Sequence, residues 1–237
     1  HSGTGLKLPI AQIAARLAEI NKDRPEGREV LLCVDGVHAF GIEDFSFPEL
    51  GADFLMAGCH KWLFGPRGTG IIAASRRGLD SIGAIIPSFV SERSFSAWIE
   101  DREPTGSIDA DTITPGGFKA FEHMWSLPEA FAFVGSVGKT RIAERTHALV
   151  DQLKRGLSTL EGVELRTPLA PELSAGIVAF DVTGANPHGV VRQLRQRKIV
   201  ASVAPYATQH VRLTPSILNT PEEVDAALAA LREIASA

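Results

Sequence analysis

The sequence predicts an α/β protein. It reads as a larger unit with a mostly parallel sheet and helices, followed by a smaller α/β unit. Three observations carry that expectation. Between residues 30 and 74, three short apolar runs (30–34, 54–57 and 71–74) are each bounded by turn residues, as buried parallel strands are. A helical repeat precedes them, so helix and strand alternate. A long amphipathic helix after residue 139 then opens a second alternation of short strands and helices.

Ile10, Ile13, Ala14, Leu17 and Ile20 recur at helical spacing, and Pro9 suits a first turn, so a helix is expected over 9–21. Asp23-Arg24-Pro25-Glu26-Gly27 ends it. The three apolar runs follow as strands. From 76 to 114 the pattern breaks down. Ile85-Ile86-Pro87-Ser88-Phe89 and Phe95-Ser96-Ala97-Trp98-Ile99 lie among polar and glycine residues, and the segment reads as long and irregular. Such segments are usually functional or mobile. Its aromatics would either line a pocket or pack the segment down. Thr114-Pro115-Gly116-Gly117 turns into helices over 118–126 and 128–134, broken at Pro128.

A helix over 139–160 aligns Ile142, Leu149, Leu153, Leu157 and Leu160. Strands are expected at 163–166, 176–182, 199–203 and 210–213. Helices are expected at 187–196 and 221–234. The division between the two units is placed inside the long helix, giving 1–150 and 151–237.

Hydrophobic residues make up 44% and charged residues 22%, as in soluble globular proteins. The net charge of -4 gives no basic footprint for nucleic acid or an anionic membrane. No apolar run approaches the ~18 residues of a membrane span. Cys33 and Cys59 lie in or beside strands, which points to a reducing, cytoplasmic setting rather than a disulfide framework. The chain opens on His1-Ser2-Gly3-Thr4-Gly5, which reads as a strand end entering a turn, so the chain is expected to be the C-terminal part of something longer.

Two motifs fall away. The stretch 133–140 resembles a phosphate-binding loop, but Phe133 stands where its first glycine belongs. Cys33, His38, Cys59 and His60 lack metal-ligand spacing, so no metal is expected.

What remains is an acid and a lysine. Asp35 follows the first strand and Lys61 the second, and open α/β sheets bind ligands beyond the carboxyl ends of their strands. Pyridoxal phosphate (PLP) needs an amine to hold it and an acid to keep its pyridine nitrogen protonated. It also needs donors for its phosphate and a cation for the substrate carboxylate. Asp35 and Lys61 suit the first two roles. His60 with nearby hydroxyls suits the phosphate, and Arg212 suits the carboxylate.

The segments VDGVH (34–38), HKWLFGPRGTG (60–70) and VRLTPSILNTPEEVD (211–225) resemble class V aminotransferases of PLP fold type I. That family includes cysteine desulfurases and isopenicillin N epimerase-like enzymes. The resemblance implies that Asp35 pairs with the ring nitrogen and that His38 contacts the ring face or its hydroxyl. It makes Lys61 the Schiff-base lysine and places His60 at the phosphate. Thr114 would reach the phosphate of a neighbouring subunit in a homodimer. Arg212 would hold the substrate α-carboxylate.

Ser2 stands where a family turn often carries an Asn that contacts the ring oxygen. Gly58 stands where the family usually has Ser or Thr three residues before the lysine, and Cys59 follows, so one phosphate hydroxyl is missing or replaced. The family's first part, with its glycine/threonine phosphate loop and stacking aromatic, is absent.

The resemblance implies an amino-acid substrate and Cα proton transfer with Lys61 as acid/base. Desulfurases of this family carry a mobile cysteine before the late arginine, and residues 201–206 contain none. Epimerase-like or aminotransferase-like chemistry is therefore expected ahead of desulfurase-type elimination, or of an inert fragment. Glu43, Asp44 and Arg67 read as solvated loop charges.

Overall fold

Two sheets organise the chain. The computed structural model describes residues 1–84, 88–117 and 119–236. The expectations for Ile85-Ile86-Pro87 and for a helix start at Phe118 lie outside these residues.

The first sheet has the order β1 (Cys33–Asp35), β2 (Phe54–Gly58), β3 (Gly70–Ala74). β1 and β2 pair in parallel, with Cys33 opposite Phe54 and Asp35 opposite Met56. β3 departs from the parallel expectation and runs antiparallel to β2, Gly58 opposite Gly70. A parallel return needs a crossover of about a dozen residues or more, usually a helix. The 59–69 loop instead turns back tightly, through positive φ at Phe64 and Gly68.

The true crossover lies between β1 and β2 and holds α2 (Phe47–Leu50). That short helix escapes periodicity, but its capping box is legible. Ser46 N donates to Glu49 Oε2 at 2.8 Å. α1 (Ile10–Asn21) forms as expected. Ile10 packs on Val34, Ala52 and Leu55 beneath the sheet.

The segment from 76 to 114 is less irregular than its sequence implies. It contains α3 (Arg76–Asp80), α4 (Glu92–Ile99) and α5 (Ala110–Ile113). α4 is hidden because the positions it buries are small, Ser94 and Ala97. Its start is marked by Ser91, whose hydroxyl accepts from Ser94 N at 3.3 Å. Phe89 meets Phe95 edge-on at 5.6 Å, and Phe95 meets Trp98 at 5.9 Å. These aromatics pack on one another, and Trp98 remains 51% exposed.

α6 (Phe121–Trp125) and α7 (Leu127–Val137) follow. Pro128 opens α7 from its first turn instead of breaking a helix. α8 (Lys139–Ser158) carries the apolar stripe onto the second sheet. There β4 (Val163–Leu165), β5 (Val178–Val182), β6 (Ser202–Val203) and β7 (Val211–Leu213) run in the order β4-β5-β7-β6. Every neighbouring pair is antiparallel.

α9 (Pro187–Gln196) and α10 (Pro221–Ala235) close over the second sheet. Leu149, Leu153 and Leu157 of α8 meet Phe180 of β5, Leu194 of α9 and Leu231 of α10 in one core. Phe180 is fully buried. Phe180→Ala is expected to cost about 3–5 kcal/mol, read as a lower urea midpoint with an unchanged slope.

Residues 1–8 are fastened to the second sheet. Thr167 Oγ1 donates to Thr4 O at 2.7 Å and accepts from Ala179 N at 2.8 Å. Leu6 bridges to Ser174. Gly5 sits at φ 72°, where a Cβ would stand 2.2 Å from Ile177 O, so a side chain there has no room.

Two charged residues hold the loops in place. Lys154, on α8, is 1% exposed. Its Nζ donates to Pro168 O (3.1 Å), Leu169 O (2.9 Å) and Ser174 Oγ (2.6 Å). Burial pushes its pKa down.

Glu43 is not the solvated charge its sequence implies. Its side chain is 9% exposed, pairs with Lys7, and lies 2.6 Å from His147 Nε2 on α8. Next to it, Thr140 Oγ1 donates to Asp44 Oδ2 at 2.6 Å. Burial pushes the Glu43 carboxyl up, but hydrogen bonds from His147 and Lys7 outweigh it and leave the pKa below its usual 4.5. A folded pKa below the unfolded one adds stability at neutral pH, which is lost as pH falls through and below about 4.5. Glu43→Gln is expected to cost about 1–3 kcal/mol at pH 7. Its deficit against wild type should shrink in acid denaturant titrations.

Candidate active site

Parallel pairing of β1 and β2 brings their carboxyl ends out at the same edge. Asp35 is the last residue of β1. β2 ends at Gly58, and the turn after it carries His60 and Lys61. Asp35 Oδ1 accepts from Val37 N at 3.1 Å, an Asx turn that starts the 36–39 turn and presents His38. A Cβ at Gly36 would stand 2.4 Å from Leu55 Cδ1, so a side chain there would have to displace that methyl.

A cavity of about 850 Å³ opens at this edge. Its lining includes Ser2, Asp35, His38, Lys61, Tyr206 and Arg212. Lys61 Nζ lies 3.1 Å from His38 Nε2. Burial, followed by the charges of Lys61 and Arg212, pushes the His38 pKa down to about 4, with Asp35 pulling weakly the other way. His38 is therefore neutral at pH 7, and its Nε2 accepts from the lysine ammonium. Its Nδ1 is buried and has no partner among the described residues. An orphaned buried donor costs about 1–3 kcal/mol, so a ligand group meeting it gains affinity.

Arg212 lies on β7, between β5 and β6. Its Nη1 donates to Ser2 O at 2.7 Å and its Nη2 to Val203 O at 3.4 Å. Its Nε donates to Ser202 Oγ at 3.3 Å. Burial pushes its pKa down while Tyr206 pushes it up. Ser2 Oγ and the Tyr206 hydroxyl share a hydrogen bond.

Five of the seven expected site residues thus line one cavity: Ser2, Asp35, His38, Lys61 and Arg212. His60 does not line it; its exposed ring rests on Gly58, where a Cβ would meet it at 3.0 Å. Thr114 is also elsewhere, its Oγ1 donating to Ala110 O at 2.7 Å. Neither cysteine lines the cavity. Cys33 is exposed, and Cys59 is fully buried with its thiol pKa raised by burial. Among the described residues no cluster of His, Cys, Asp and Glu could hold a metal, and no helix is long and apolar enough to cross a membrane.

Tyr206 and Trp62 are cavity residues that the sequence does not flag. Tyr206 is the single tyrosine of the sequence, six residues before Arg212, and that position is its one legible signal. Trp62 follows the lysine, and its Nε1 is buried without a partner.

An acid, a lysine, an arginine and an unpartnered imidazole nitrogen around one cavity suit the ring half of pyridoxal phosphate. Fold and donor set together define the architecture of PLP fold type I proteins. The family model for Aminotransferase class-V matches residues 12–226, and the chain belongs to that family of PLP-dependent proteins. It is 30% identical to isopenicillin N epimerase of Streptomyces clavuligerus over 234 residues, covering 94% of this chain and 56% of that protein. It is also 30% identical to isopenicillin N epimerase of Amycolatopsis lactamdurans over 240 residues, 98% of this chain and 58% of that one.

Among solved structures, the cystine C-S lyase C-DES with cysteine persulfide superimposes with a TM-score of 0.79 at 23% identity, covering 98% of this chain and 58% of that one. The apo cysteine desulfurase of Thermococcus onnurineus NA1 gives 0.77 at 23% identity, covering 98% and 57%. These two share the fold. The chain spans just over half the length of the curated relatives it matches.

Proposed function

We propose that this chain supplies the lysine side of a pyridoxal-phosphate enzyme that removes and returns a proton at Cα of an amino acid, as in epimerisation. The observation that carries the reading is the convergence of Asp35, Lys61 and Arg212 on one cavity, with Lys61 held at His38. When bound, pyridoxal phosphate supplies an electron sink for negative charge at Cα. Asp35 would pair with the pyridine nitrogen, and neutral His38 would lie against the ring. Ser2 would contact the ring oxygen, and Arg212 would receive the substrate carboxylate through its fork of donors. Lys61 would hold the cofactor, and its free amine would move the proton at Cα.

His60 and Thr114 lie outside this cavity, and their assignment to the phosphate rests on the family resemblance alone, Thr114 acting from a second copy of the chain in a homodimer. On this reading, residues 1–150 are the C-terminal part of a large PLP-binding domain, including the interdomain helix, and 151–237 are a small C-terminal domain. Epimerisation leads because the two relatives at 30% identity carry that name and because neither cysteine lines the cavity.

The test is incubation of the protein containing this chain with PLP and the common amino acids of both hands in deuterated water. Deuterium at Cα with inverted product, and no keto acid, is the expected result. Keto acid would mark transamination, and pyruvate with sulfide or ammonia would mark elimination. No exchange with any amino acid, together with no borohydride-fixed adduct on Lys61, sinks the reading.

A further inference from the structure

Two side chains able to give and take protons line the cavity from separate parts of the fold. Lys61 arrives on the turn after β2 of the first sheet and is hydrogen-bonded to His38. Tyr206 arrives on the β6–β7 connection of the second sheet, its hydroxyl bonded to Ser2 Oγ. Arg212 donates to the carbonyl of the same Ser2, so Tyr206 and Arg212 share one anchor. Lys61 has a different anchor, His38. The other hydroxyls near Arg212, on Ser2 and Ser202, are alkyl alcohols, and a phenol is far more acidic.

Inversion at Cα takes a proton from one face and returns one to the other. A single group that stays on one face returns the proton to that face and gives exchange with retention. A carboxylate held at Arg212 brings the substrate beside both side chains, which line the same cavity.

We propose that Tyr206 is the second proton carrier of this site, delivering to the face of Cα opposite Lys61. The inference rests on the reading of the site as a centre for Cα proton transfer. In one direction the neutral Lys61 amine takes the Cα proton. That C–H bond breaks, and its electron pair stays with the substrate. The Tyr206 O–H bond then breaks, and its proton makes the new C–H bond on the other face. An ammonium and a phenolate remain. A proton passing from the first to the second through solvent restores both. The opposite enantiomer runs the same steps in reverse.

The experiment compares wild type and Tyr206→Phe, each loaded with PLP, on both enantiomers of the amino acid that wild type exchanges fastest. The variant should form the borohydride-fixed adduct on Lys61 as wild type does. It should keep deuterium exchange with the enantiomer served by Lys61, and lose exchange with the other, and inversion, by about a hundredfold. Equal losses with both enantiomers, or inversion at the wild-type rate, overturn the proposal. A wild type that exchanges without inverting also overturns it and leaves the Cα reading standing. A wild type that exchanges nothing fails both.

A second measurement needs no turnover and no variant. Nitration of Tyr206, located by mass, should slow about tenfold when PLP and the amino acid saturate the cavity. Nitration at an unchanged rate places Tyr206 away from the bound groups and overturns the proposal.

Discussion

Lys61→Ala is expected to lose the borohydride-fixed adduct altogether and to lower turnover by at least about a thousandfold. The residue is asked to do two things, to anchor the cofactor and to move the Cα proton, and alanine does neither. Lys61→Arg separates charge from chemistry. A guanidinium keeps the positive charge beside His38, but it stays protonated at working pH and is no base. It should therefore be as inactive as alanine. Adduct formation is read by mass and turnover by Cα deuterium exchange. Turnover retained in Lys61→Arg would remove the lysine from the proton-transfer role.

Arg212→Met should raise the KM for amino acids about a hundredfold, with a smaller change in kcat. Charge-assisted hydrogen bonds are worth about 1.5–3 kcal/mol each, and a forked pair to a carboxylate losing about 3 kcal/mol corresponds to roughly two powers of ten. Arg212→Lys keeps the charge, loses the fork, and should fall between the two. Arg212 also bonds Ser2 O and Val203 O, so thermal melting of each variant must accompany the kinetics. A KM unchanged in a variant that melts like wild type would remove the carboxylate role.

The part of the sequence that carries the candidate site is legible because it is local. Asp35 and Lys61 each close a short apolar run, and adjacent parallel strands bring such ends together. The α8 stripe and the strands around Phe180 were legible because their apolar spacing is regular. What escaped depends on distant partners. Glu43 looks like any loop acid until His147, 104 residues later, folds against it. Lys154 sits in a helix where its spacing says only "between leucines", and its carbonyl partners lie on another loop. The direction of β3 is set by the return of the 59–69 loop rather than by any apolar pattern. Tyr206 carries no motif, and its place in the cavity follows from the β6–β7 turn and from Ser2 at the other end of the chain.

The strap of residues 1–8 has a mechanical consequence. It belongs by sequence to the first sheet, because it leads straight into α1. By its bonds to Thr167, Ser174 and Arg212 it belongs to the second. Any swing of one sheet against the other therefore moves Ser2, Tyr206 and Arg212 as a single jaw. The opposing jaw carries Asp35, His38 and Lys61. The Lys7–Glu43–His147 contact ties this strap back to the connection after β1 and to α8, so it links the two jaws.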